Sequence, residues 1–174
     1  LVKLYYEPKY WMVGHENALD QKYLNTEIST FSHTSSGEGF KVSNHERRRR
    51  EPDFVIELTP LSGESILLVL DAKYSKMETS YEKRLPGCVM KYVHGIHGVN
   101  GTSPVKAMIL ISPTQDTKAT LADMHVSPYG LFDEKTVIPV LGVQGVQLNN
   151  QAIENNDFTL RHTLEHLLDL MVKR

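Results

Sequence analysis

Three residues combine type and spacing in a way that suits phosphate chemistry. Asp71-Ala72-Lys73 closes the apolar run Ile66-Leu-Leu-Val-Leu70, and Pro52-Asp53 opens another apolar stretch upstream. Successive strand side chains alternate between faces, so Asp71 and Lys73 share one. Charged groups are seldom buried without partners, so a carboxylate and an ammonium leaving such a run together need a reason. Residues 53–58 and 65–74 read as a hairpin, with Pro60 and Gly63 marking the turn. The start of one hairpin strand faces the end of the other, which brings Asp53 beside Asp71. Two adjacent carboxylates repel unless a cation lies between them. Their oxygens suit Mg²⁺, which takes one or two carboxylates and keeps several waters, and Mn²⁺ can substitute. Lys73 would then orient or deprotonate an attacking water, or stabilise charge on a phosphate. A metal there would lower the pKa of that water. Plainer readings stand beside these: a turn residue after proline for Asp53, and a strand-end ion pair of little worth for Asp71 and Lys73.

The hairpin sits in a chain that reads as strand, long loop, strand, strand, helix, strand, strand, helix, a mixed sheet flanked by helices. Val2 to Tyr6 is β-branched and aromatic, hence a strand. Residues 14–50 are polar and read mainly as a long loop, with a short helix over Asn17 to Tyr23. Val89, Tyr92, Val93 and Ile96 predict a helix over residues 87–97, which Gly98 and Gly101 would stop. Val105 to Ile111 is a second buried strand. Val137 to Leu148, interrupted by Pro139, Gly142 and Gly145, reads as an edge strand or a bent pair. Leu160, Leu164, Leu167, Leu168 and Met171 fall on one face of a helix over residues 158–172.

The pattern Pro52-Asp53, a spacer of 17 residues, then Asp71-Ala72-Lys73 resembles the PD-(D/E)XK nuclease superfamily. Leu4-Tyr-Tyr-Glu-Pro8, Glu51-Pro-Asp-Phe-Val-Ile-Glu57 and Leu68-Val-Leu-Asp-Ala-Lys-Tyr74 look like the nuclease domain of McrC-type restriction subunits. They look still more like a related, poorly characterised bacterial family. The helix with Lys91-Tyr92, the strand ending in Ser112-Pro113 and the segment Gly145 to Leu148 follow in the order of those families. The resemblance spans most of the chain, but only the block from Asp53 to Tyr74 is specific.

The resemblance implies an α/β fold with a restriction-endonuclease-like core, a mixed central β-sheet flanked by helices. It also implies Mg²⁺ on Asp53 and Asp71, Lys73 acting on the water, and DNA as substrate in defence against foreign DNA. An NTP-driven motor or recognition subunit is the partner it suggests. Such families often carry a further polar residue on the helix after the lysine, and Lys91 is the nearest match. The helix-borne acidic residue that usually opens the core has no clear copy. It lies before Leu1, or Glu7, Glu16 or Glu27 stands in. The runner-up is a nuclease-fold module that binds nucleic acid or a protein without cutting.

The remaining features bound these expectations. With 174 residues, 40% apolar and 23% charged, the chain suits one globular domain over residues 1–174. Starting at Leu1 rather than Met, it reads as a fragment of a longer protein. Its net charge of -2 gives no global argument for nucleic acid. Locally, Arg47, Arg48, Arg49 and Arg50, with Lys76, could meet phosphates, or form a solvated loop. The lone Cys88 excludes an internal disulfide, and no run is apolar enough for a membrane span, so a cytoplasmic location is expected. Glu57 reads as solvated or structural, Lys91 as helix surface and Tyr92 as core. His162-Thr-Leu-Glu-His166 matches an inverted zinc-protease pattern, but the leucine stripe already accounts for that helix. His94 and His97 read as a structural pair, and no P-loop is present.

Overall fold

The computed structural model describes residues 1–26, 49–61, 63–114, 121–147 and 159–173, with the backbone of 31–33 and 40–42. In chain order its strands are β1 (Val2–Tyr6), β2 (Tyr10–Trp11), β3 (Tyr23–Asn25), β4 (Phe31–His33), β5 (Phe40–Val42) and β6 (Arg49–Arg50). They continue with β7 (Phe54–Leu58), β8 (Ile66–Ala72), β9 (Ile96–Gly98), β10 (Val105–Pro113), β11 (Leu121–Asp123) and β12 (Val140–Val146). Six of them form one mixed sheet in the order β1-β7-β8-β10-β12-β11. β1, β7 and β8 are antiparallel neighbours, β8, β10 and β12 run parallel, and β11 returns antiparallel at the edge. The fold is therefore α/β with a central mixed sheet, and the expected hairpin is its β7–β8 pair.

The apolar run of β8 is buried on both faces, as a central strand requires. Leu67 and Val69 join a core with Val55, Leu85, Tyr92 and Val93. Leu68 and Leu70 join a second core with Ile56, Ile109 and Leu167. The first lies under the helical segment 77–93, the second under the last helix, Leu160–Val172. That last helix begins with Thr159, whose side chain caps the backbone N–H of His162. Its leucine stripe meets the sheet where expected.

Three elements differ from the sequence reading. The middle helix starts at Met77, ten residues early, and ends at Val93. It alternates α and π turns, with π stretches at Ser80–Arg84 and Val89–Val93, so its apolar residues do not keep one 3.6 period. Pro86 falls inside this helix, between the two π stretches, where it has no N–H to give to the preceding turn. Ile96 leaves the helix altogether because β9 pairs with β3. Second, β12 is neither an edge nor a bent pair but an inner strand between β10 and β11. Its glycines mark close approach: a Cβ on Gly142 would come 2.9 Å from the Ala122 carbonyl oxygen. Third, the helix expected over Asn17 to Tyr23 is only a 3₁₀ turn at Glu16–Ala18, and Tyr23 begins β3. The short strands β3, β4, β5 and β6 also lie within residues 14–50, where the polar composition predicts mainly a long loop.

Candidate functional site

The β7–β8 register pairs Phe54 with Leu70 and Val55 with Val69. Carried one step further it sets Asp53 opposite Asp71. Asp53, Val55, Asp71 and Lys73 share the face that Val55 and Val69 turn toward the middle helix. The two acids therefore meet at one end of the sheet, below the end of that helix.

Asp71 is 3% exposed. Its Oδ1 lies 3.0 Å from the Tyr92 hydroxyl, and its Oδ2 receives the Lys73 ammonium in an ion pair. Lys73 Nζ also donates to the Ala72 carbonyl oxygen at 3.3 Å. Asp53 Oδ2 accepts the Ala72 backbone N–H at 2.6 Å, which holds its carboxylate against the peptide that follows Asp71. β8 itself is extended past Ala72 by the Lys73 N–H, which donates to Ile111 O at 2.8 Å. The turn beyond is pinned by hydroxyls: Ser80 Oγ lies 2.7 Å from Ser75 Oγ and accepts from buried Ser112 at 2.6 Å. Strand, turn and helix thus fix Lys73 from both sides.

Tyr92 reaches the site from the π stretch at Val89–Val93. Its hydroxyl, which holds one proton, faces both Asp71 Oδ1 and the Glu51 carbonyl oxygen, 3.1 Å away. Lys91 Nζ donates to the Tyr92 oxygen at 2.7 Å, leaving that proton for one of the two acceptors. Burial raises the Tyr92 pKa, and neighbouring Asp53 and Glu51 add to it, so the phenol stays protonated. Burial lowers the Lys91 pKa, and the Lys73 and Arg50 cations press the same way. Cys88 is buried on the same helix; burial raises its pKa, opposed by the cations of Lys73, Lys91 and Arg84. Cations therefore crowd around the two acids.

The other candidates separate. Arg49 is engaged by Glu51 at 2.9 Å and stacks 5.3 Å above the Trp11 ring. Arg50 is half-buried beside Lys91, and Lys76 is exposed ahead of the helix. Arg47, Arg48 and Glu27 lie outside the described residues. Glu7 is the nearest stand-in for the upstream acid: its N–H donates to Asp53 O at 2.8 Å. Its φ of 45° is left-handed, uncommon for a side-chain-bearing residue, and its carboxylate engages the Tyr6 hydroxyl, whose pKa it raises. Glu16 is exposed on the 3₁₀ turn. His162 and His166 pack on Phe132, with ring centroids 5.3 and 5.0 Å away. His97 is on β9, 2.7 Å from Thr26 Oγ1, so it forms no helical pair with His94.

One residue has more to do than its sequence reading gave it. Tyr92 is core, as expected, but also holds Asp71; the only signal was that a buried tyrosine needs a partner for its hydroxyl. Of the two readings of Glu57, solvated or structural, the structural one holds: it is 6% exposed and accepts from Lys22, Tyr5 and Tyr23. As for a metal, Asp53 and Asp71 offer carboxylate oxygens at adjoining strand ends, the donor chemistry Mg²⁺ favours. Among the described residues no third His, Cys, Asp or Glu joins them. No protein-family model matches the chain, and no curated protein matches it.

Proposed function

We propose that the chain is a divalent-metal-dependent nuclease of the PD-(D/E)XK class that hydrolyses DNA phosphodiester bonds, serving restriction or defence in a bacterium. The observation that carries this is the meeting of Asp53, Asp71 and Lys73 at one sheet end: the Asp53 carboxylate is bonded to the peptide after Asp71, and Lys73 is paired with Asp71. An antiparallel β7–β8 pair continuing through a helix into parallel β10 supports the finer reading of the fold as a restriction-endonuclease-like core.

In this reading Asp53 and Asp71 hold Mg²⁺, or Mn²⁺ in its place. A metal held there would lower the pKa of a water and offset charge on the phosphate. Lys73, an ammonium 29% exposed at its side chain, orients the water or offsets charge on the phosphate. Tyr92 fixes the rotamer of Asp71. Lys91, Arg50 and Lys76 receive the DNA backbone, contacts that position a duplex without reading its sequence. An NTP-driven motor or recognition subunit completes the machine.

Two observations favour a second reading, a module that binds nucleic acid or a protein without cutting. The Lys73 ammonium is already neutralised by Asp71, and no third metal-ligating side chain joins the two acids among the described residues. Incubation with supercoiled plasmid and single-stranded DNA separates the two. Nicked or linear product that requires Mg²⁺ or Mn²⁺ and stops on chelation supports the nuclease. A folded chain that retards DNA but leaves it intact with either metal supports the module.

A further inference from the structure

The outer edge of β1 pairs with no strand among the described residues. Its inner edge pairs with β7 without a bulge, from Val2 opposite Leu58 to Tyr6 opposite Phe54. The bonds at the two ends fix which backbone groups point outward. Thr59 N–H donates to Leu1 O and Glu7 N–H donates to Asp53 O, both at 2.8 Å. Residues that exchange such bonds alternate along an antiparallel pair. Leu1, Lys3, Tyr5 and Glu7 therefore turn their backbone groups toward β7. Val2, Leu4 and Tyr6 turn theirs to the free edge.

The same three residues carry exposed apolar side chains: Val2 is 59% exposed, Leu4 69% and Tyr6 69%. They share the sheet face of Leu58, Ile56 and Phe54, so the row extends the core that lies under the last helix. Lys3 and Tyr5 take the opposite face. Sheet edges are usually guarded by charges, a proline or a bulge. Within β1 the only such guard is Lys3. The strand ends at Glu7, whose left-handed φ of 45° turns the chain away.

We propose that β1 pairs with β1 of a second copy of this chain, antiparallel, about a two-fold axis at Leu4. That register sets Leu4 opposite its own copy and Val2 opposite the copy's Tyr6. Each outward-facing residue then exchanges both backbone bonds with its opposite. The apolar row of one copy continues into that of the other. On the opposite face Lys3 meets the copy's Tyr5, an aromatic ring rather than a like charge. Neighbouring registers fit worse. An axis at Lys3 would set two ammonium groups opposite each other, which destabilises a pair. An axis at Tyr5 would set Val2 opposite Pro8, which has no N–H to give. The Leu4 contact is self-complementary and closes on itself, as a two-fold dimer requires. Its axis stands perpendicular to the sheet, so the acids of both copies open on one side. The inference rests on β1 and not on hydrolysis at Asp53.

Sedimentation of the whole chain through a dilution series, without DNA or metal, tests it. Wild type is expected to pass from monomer to dimer as concentration rises. Leu4→Asp, altered at an exposed position, sets two carboxylates against each other across the axis. It should dimerise at least tenfold more weakly, yet melt like wild type where both are monomeric. Cysteine cross-linking reads the register. The Cα atoms of a bond-exchanging pair lie about 5.5 Å apart, within disulfide reach. Leu4→Cys should therefore give a disulfide-linked dimer under mild oxidation. Lys3→Cys, opposite Tyr5, should cross-link at least tenfold more slowly, and buried Cys88 is common to both. The proposal is overturned if wild type stays monomeric throughout, or if folded Leu4→Asp dimerises as wild type does. It is also overturned if Lys3→Cys cross-links as fast as Leu4→Cys. A dimer that cuts no DNA would sink the nuclease reading alone, and a monomer that cuts would sink this one alone.

Discussion

Asp71 is held by two opposite kinds of partner, a neutral phenol on one oxygen and a cation on the other. Its place beside Lys73 was legible, because alternation along a strand is a local rule. The part of Tyr92 was not, since contact between residues 71 and 92 depends on how the intervening helix is wound. Lys91 carries a burial cost. Its half-buried ammonium has a depressed pKa, chiefly from burial, so its charged form is disfavoured in the folded state. A lysine with a depressed folded pKa binds its proton more tightly when unfolded. Stability should therefore rise with pH from the folded value up to the ordinary value of about 10.4, and the penalty is fully present below that window. Lys91→Met should raise the melting temperature at neutral pH, and the gain should shrink as the pH climbs through the window. The same substitution should weaken DNA retardation. Equal melting temperatures across the whole pH range would mean that Lys91 bears no burial cost.

At the scale of elements, long strands and the last helix were legible because each carries its own apolar pattern. The middle helix was legible only in its second half. Its π turns break the period, and Pro86-Gly87 reads as punctuation rather than as helix interior. β11 and the pairs β2–β6 and β3–β9 were not legible, since strands of two or three residues are set by distant partners. The last helix seals the sheet face opposite the acids through fully buried Leu167, and its Thr163 hydroxyl donates to buried Gln144 Oε1 at 2.7 Å. Leu167→Ala should cost about 2–5 kcal/mol in chemical denaturation, as a cavity in a close-packed core does. Because the site lies on the other face, whatever metal-dependent cutting the chain performs should persist below the lowered melting point. Loss of less than about 1 kcal/mol would mean that the helix is only loosely docked.

At the scale of the whole molecule, topology gathers residues from four places into one end of the sheet. The strand neighbours β7, β8 and β10 bring Asp53, Asp71 and the Lys73 backbone together, and the helix returns Tyr92 and Lys91 over them. The hairpin foretold the first two. The mixed sheet was legible from the order of elements, whereas the antiparallel edge strand β11 and the inner position of β12 are set by strand pairing that no local pattern carries. None of the described helices is long and apolar enough to cross a membrane. The most direct test compares plasmid cleavage by wild type, Asp71→Asn and Lys73→Ala in Mg²⁺, each checked for folding by its thermal melt. The account predicts metal-dependent cutting by wild type and at least a hundredfold slower cutting by Lys73→Ala, in the range typical of a lost general acid or base. It predicts none by Asp71→Asn. Cutting at the wild-type rate by both folded variants would place the chemistry elsewhere and contradict it.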